Sequence, residues 1–127
     1  MASPEKLKFQ KSHEWTRVEG SIAYVGISDH AQEELGDIVF VEIPEVDDEF
    51  EAGEEVTNIE SVKAASPIYA PVSGKVVKVN QELEEAPELI NQKPYEAFIF
   101  AIEMTDPSEL DKLLSYEEYQ KSIEEEE

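Results

Sequence analysis

The sequence predicts a single, mainly β domain with peripheral short helices. Three observations carry that expectation. Most apolar runs are short and end at Gly, Pro or polar clusters, which is the punctuation of strands. No βαβ alternation and no repeat at a solenoid period is visible. Helix-start signals are confined to a few places, mostly near the C-terminus.

Residues 15–18 and 22–27 read as antiparallel strands joined through Glu19-Gly20-Ser21. Ser28 is placed to cap a helix over 29–35, and Gly36 supplies the stop. In the next strand Ile38, Phe40 and Glu42 alternate with Val39, Val41 and Ile43, so both faces are expected to be largely apolar, and Pro44 ends it. Residues 56–62 and 68–69 read as two arms on either side of Lys63. A strand over 74–80 interleaves Val76, Val77 and Val79 with Lys75 and Lys78. Ala86-Pro87-Glu88-Leu89 opens a short turn. Over 98–104, Phe98, Phe100 and Ile102 alternate against Ile99, Ala101 and Glu103.

Asp106-Pro107-Ser108-Glu109 combines a capping Asp with Pro at the first helical position, and Leu110, Leu113 and Leu114 follow as an apolar stripe. Ser115-Tyr116-Glu117-Glu118 is a second capping box, with Tyr119 and Ile123 expected inward and residues 124–127 expected to fray. The whole reads as one domain over 1–127, with a core over about 8–104 and a C-terminal helical segment over about 106–124.

Composition narrows the function. The chain has 127 residues, no Cys, and 10 Lys+Arg against 31 Asp+Glu, for a net charge of −21. Without Cys there is no disulfide framework, no thiolate metal site and no cysteine nucleophile. The acidic balance argues against nucleic acid and anionic membrane surfaces, and no apolar run approaches spanning length. The first ten residues are charged and lack an apolar signal core, so no export signal is expected. His13 and His30 lack metal-ligand spacing, and neither a Gly-x-Ser-x-Gly elbow nor a phosphate loop is present. No catalytic constellation is therefore expected. Residues 31–60 carry twelve acids and no base, which reads either as a solubilising surface or as a face that steers basic partners. Like-charge repulsion on this scale favours a monomer.

One segment carries chemistry. Glu60-Ser61-Val62-Lys63-Ala64-Ala65 lies between two strand-like arms, with Gly53 and Gly74 placed almost symmetrically around Lys63. No Asn-Gly or Asp-Gly supplies a primed turn, so a type I turn through Val62-Lys63 is expected. Such a turn projects Lys63 outward beside two small alanines. These local features leave two readings open. Lys63 is an ordinary solvated lysine, or it is the anchor of a prosthetic arm.

The ordered motifs resolve further. Ser12-His13-Glu14-Trp15, the run from Val25 to Gln32, Leu35-Gly36-Asp37-Ile38-Val39-Phe40-Val41-Glu42-Ile43-Pro44-Glu45-Val46, Glu60-Ser61-Val62-Lys63, Tyr69-Ala70-Pro71-Val72-Ser73-Gly74, Pro87-Glu88-Leu89-Ile90-Asn91 and Asp106-Pro107-Ser108-Glu109-Leu110 together resemble the H-protein family of the glycine cleavage system. The resemblance covers nearly the whole chain. It implies a barrel-sandwich hybrid of the lipoyl/biotinyl-carrier type, with lipoate in amide linkage to Lys63.

It further implies a non-catalytic shuttle. Such a carrier takes an aminomethyl group from a glycine decarboxylase to an aminomethyltransferase, and presents its dithiol to dihydrolipoyl dehydrogenase. A lipoate ligase or lipoyl/octanoyl transferase would load the lysine. The resemblance assigns Ser12 and Glu14 to contact with the loaded arm, and Glu60 and Ser61 to turn shape and ligase recognition. A bacterial or archaeal cytoplasmic setting, or an organelle matrix, would suit it. Pro67 stands where the family often has an acid, and Glu34 where it can have a His. Those departures motivate an alternative, an H-like lipoyl carrier serving sulfur oxidation or lipoyl relay.

Overall fold

Antiparallel pairing organises the residues that the structure, a computed structural model, describes: 6–126. A six-stranded sheet runs in the order β1-β2-β3-β9-β8-β5, and a three-stranded sheet in the order β4-β6-β7. Their strands are β1 (Lys8–Phe9), β2 (Glu14–Glu19), β3 (Ile22–Ile27), β4 (Ile38–Val41), β5 (Glu49–Phe50), β6 (Glu55–Ser61), β7 (Ala65–Tyr69), β8 (Gly74–Val79) and β9 (Phe100–Met104). The helices are α1 (Asp29–Leu35), α2 (Glu82–Glu85), α3 (Leu89–Gln92) and α4 (Tyr116–Glu126), with a 3-10 helix over Pro107–Lys112.

The main core lies between the sheets. Ile59 and Ile68 from the smaller sheet meet Val25, Val76, Phe100 and Ile102 from the larger, with Leu83 and Ile90 brought in by α2 and α3. A second cluster of Leu7, Phe9, Trp15, Tyr119 and Ile123 fixes α4 to the outside of the larger sheet. There the Phe9 and Tyr119 rings stack at 4.5 Å and 7°. The capping box behaves as its spacing predicts: Ser115 Oγ accepts from the Glu118 N–H, and Glu118 Oε1 accepts from the Ser115 N–H. Likewise Ser28 Oγ accepts from the Ala31 N–H at the start of α1, and Gly36 ends that helix at φ 78°.

Some expectations change. The strand from Ile38 ends at Val41 rather than at Pro44, and its apolar residues are not all inward: a bulge between Ile38 and Phe40 leaves Val39 and Phe40 both facing solvent. The strand expected from Phe98 begins at Phe100, and the turn at Ala86–Leu89 is bracketed by two single-turn helices. The Asp106 signal starts a 3-10 helix rather than a longer α-helix. Glu124 and Glu125 continue α4 rather than fraying, while Glu127 and residues 1–5 lie outside the described residues. The two-residue strands β1 and β5 carry no sequence signal of their own.

Gly74 shows how closely the sheet packs. At φ 157° its missing Cβ would lie 2.0 Å from the Glu103 carbonyl oxygen of the neighbouring strand β9. Gly74→Ala should therefore cost about 2 kcal/mol or more, measurable as a lowered urea midpoint. An unchanged midpoint would contradict the close approach.

Candidate functional site

Strands β6 and β7 form a hairpin, with Glu60 paired to Ala65 just below the tip. The tip is closed by one side chain. Ser61 Oγ accepts from the N–H groups of Lys63 and Ala64, both at 3.1 Å, while the Ser61 N–H donates to the Ala64 carbonyl at 2.8 Å. Neither Val62 nor Lys63 needs a positive φ, as the turn chemistry predicts. Lys63 is exposed, and among the described residues its ammonium makes no ion pair.

The tip is braced from below. The Val62 N–H donates to the Asp37 carbonyl at 3.0 Å. The lysine stem passes close to Gly36: a Cβ there would sit in ordinary contact, 3.5 Å from Lys63 Cε. The Gly36 segment is itself held by Asn91 of α3. Asn91 Nδ2 donates to the Gly36 carbonyl and to Gln32 Oε1, and Oδ1 accepts from the Ile38 N–H, each at 2.9 Å. No local pattern links Asn91 or Gly36 to the lysine, because both lie far from it along the chain.

A cleft of about 340 Å³ opens beside this tip. Leu35, adjacent in sequence to Gly36, lines it together with Ile27, Ala31, Ile68 and Ile123. Ser66 and Pro67 of β7 form one wall, and Ser12, His13, His30 and Glu34 supply the polar part. His13 sits at φ 83° and its Nδ1 lies 2.7 Å from Tyr119 Oη, which is also 2.5 Å from Ser28 Oγ. His30 Nε2 lies 3.6 Å from Glu34 Oε1. The helix α4 thus contributes a cleft wall through Ile123, a role its amphipathic pattern did not foretell.

The expected site residues divide. Lys63 and Ser61 form the tip, Glu60 is exposed one residue below it, and Ser12 lines the cleft. Glu14 is different. It is 0% exposed, its Oε1 accepts from Ser12 Oγ and from Gln10 Nε2 at 3.1 Å, and its Oε2 accepts from the Tyr69 N–H at 2.8 Å. A cleft occupant therefore meets Glu14 through Ser12 rather than as an open carboxylate.

Burial pushes the Glu14 carboxyl above its ordinary value near 4.5, against the lowering effect of the Ser12 and Tyr69 hydrogen bonds. The folded protein then holds the proton more tightly than the unfolded chain. Its contribution to stability is fullest below 4.5 and is lost as pH rises through the raised folded value. Glu14→Gln removes this titration. The stability of the native protein relative to that variant should thus grow as pH falls from neutrality toward 4.5, followed by paired urea titrations. A difference independent of pH would contradict the buried charge.

Comparison with known proteins gives one family. A family model described as glycine cleavage H-protein matches residues 7–126. The glycine cleavage system H protein of Staphylococcus haemolyticus is 54% identical over 124 residues, covering 97% of this chain and 98% of that protein. The H protein of Vibrio campbellii is 59% identical over 122 residues, covering 94% and 97%. A crystal structure of a glycine cleavage system H protein from Mycobacterium marinum superposes with a TM-score of 0.87 at 32% identity, covering 96% of this chain and 99% of that one.

Proposed function

The chain belongs to the glycine cleavage H-protein family, and from that premise we propose that Lys63 is the residue through which it carries lipoate. The protein works as the lipoyl-carrying shuttle of the glycine cleavage system. The observation that carries the Lys63 assignment is the exposed ammonium, without an ion pair among the described residues, on a turn closed by Ser61 and braced by Asp37, beside a cleft lined by both aliphatic and polar side chains.

The residues present fit such a group. The free amine accepts an amide bond, which removes its charge. The cleft offers aliphatic walls for a hydrocarbon arm and a polar rim for its loaded end. Lipoyl, when bound, supplies a ring disulfide that opens to take up the aminomethyl unit and is later restored by oxidation. The chain's own residues hold and orient. Asn91 and Gly36 set the base of the arm, Leu35, Ile27 and Ile123 exclude water, and Ser12, backed by Glu14, offers a hydroxyl at the cleft. No residue of the chain is needed to break a bond, which supports a carrier rather than an enzyme. Tethering raises effective concentration at each partner.

The partners of this reading are glycine decarboxylase, aminomethyltransferase, dihydrolipoyl dehydrogenase and the enzyme that loads Lys63. The bacterial origin of the relatives supports a cytoplasmic setting. Pro67 and Glu34 both line the cleft, so the departures noted in the sequence alter its lining rather than the lysine's exposure.

Two measurements test the proposal. Intact-mass analysis of protein from its host should find one lipoyl increment, mapped by peptide sequencing to Lys63. Lys63→Arg should then abolish glycine-dependent bicarbonate exchange with the decarboxylase, leaving stability within about 0.5 kcal/mol because the side chain is exposed. Full exchange by the Arg variant would overturn the assignment.

A further inference from the structure

The bulge in β4 leaves an exposed apolar patch next to the modifiable lysine. Val39 is 53% exposed, Phe40 48% and Val62 65%, a concentration of large apolar surface that water does not favour. The three belong to one surface. Phe40 pairs with Glu60 across the sheet, Ile38 with Ser61, and the Val62 N–H bonds Asp37 beside the start of β4. Exposed acids surround them: Asp37, Glu42 and Glu60, none of which pairs with a cation among the described residues. An apolar centre with an acidic rim is complementary to a partner that has an apolar pocket rimmed by Lys and Arg.

The position of the patch selects the partner. An enzyme that acylates Lys63 must distinguish it from every other lysine of the chain, and the amine itself offers no distinction. What separates Lys63 is its surroundings. The following step rests on Lys63 being the attachment site. We propose that Val39, Phe40 and Val62 form the surface by which the acylating enzyme recognises this chain, with Asp37, Glu42 and Glu60 steering a basic rim onto it.

In the reaction so served, the deprotonated Lys63 amine attacks the carbonyl of an acyl-adenylate made from the free acid and ATP. A C–N amide bond forms as the acyl–phosphate C–O bond breaks. Adenylate leaves with the electron pair, and the amine loses one proton. The patch takes no part in bond making. It sets how tightly the acceptor binds.

The test uses the full chain, purified unmodified, with a purified lipoate–protein ligase, lipoate and ATP, and reads Lys63 acylation by intact mass over a range of acceptor concentrations. Val39→Ser and Phe40→Ser should each raise KM for the acceptor about fivefold or more with kcat retained, the loss typical of an interface anchor. Added salt should raise KM for the native chain, as expected when exposed charges steer association. Val18→Ser, at a valine 40% exposed on β2 of the other sheet, should match the native protein. If Phe40→Ser proves unfolded by circular dichroism, Val39→Ser decides alone. Equal KM for all three variants and the native chain would overturn the proposal. So would patch variants that are acylated normally but fail in glycine-dependent exchange, which would give the surface to the cleavage enzymes. If the native chain itself stays unmodified, the Lys63 reading falls first and the patch assignment falls with it.

Discussion

A carboxylate sealed inside the protein ties its two sheets together. Glu14 stands at the start of β2 in the larger sheet, and its Oε2 takes the Tyr69 N–H at the end of β7 in the smaller one. Gln10 reinforces the tie by donating from Nε2 both to Glu14 and to the Tyr69 carbonyl, the latter at 2.9 Å. A buried carboxylate without a cation is expensive unless donors replace water, and Ser12, Gln10 and Tyr69 do so. Because the tie grips β7 at its base, the hairpin leaves the body at a fixed angle. Rigidity at the base is what gives an exposed tip a defined position.

The tip is held from a second side by Asn91, which satisfies the carbonyl of Gly36 and the N–H of Ile38 at once. Between these anchors the lysine stem passes in van der Waals range of the helix end at Gly36. The cleft continues from there under α4, whose own attachment depends on Phe9, Tyr119 and the Ser115 capping box. The hairpin, the end of α1 and α4 thus all contribute walls to one cleft, while residues 31–60 bring twelve acids and no base.

Sequence reasoning reached the longer strands, α1, the C-terminal capping box and the Lys63 hairpin because each is encoded locally, by alternation, by caps and by turn chemistry. It also reached the family, through motifs spread along most of the chain. It did not reach the bulge in β4, since Ile38-Val39-Phe40-Val41 is apolar throughout, with no alternation for an extra residue to interrupt, and only pairing with β6 reveals it. Nor did it reach the burial of Glu14 or the function of Asn91. Both act across the fold, at 55 and 53 residues' separation from Tyr69 and Ile38, where no periodicity operates. The cleft was legible only in fragments, because its lining comes from β3, α1, β7 and α4 together.

Pro67 lies on β7, at the margin of the three-stranded sheet, opposite Asn58. Proline has no N–H to offer, and two residues further on both backbone groups of Tyr69 are already engaged by Glu14 and Gln10. A second extended chain laid along this margin would find few groups to zip onto. The strand that carries the lysine hairpin is thus a poor template for edge-to-edge annealing, and the hairpin can reach into solvent without offering a ready zipper along that margin.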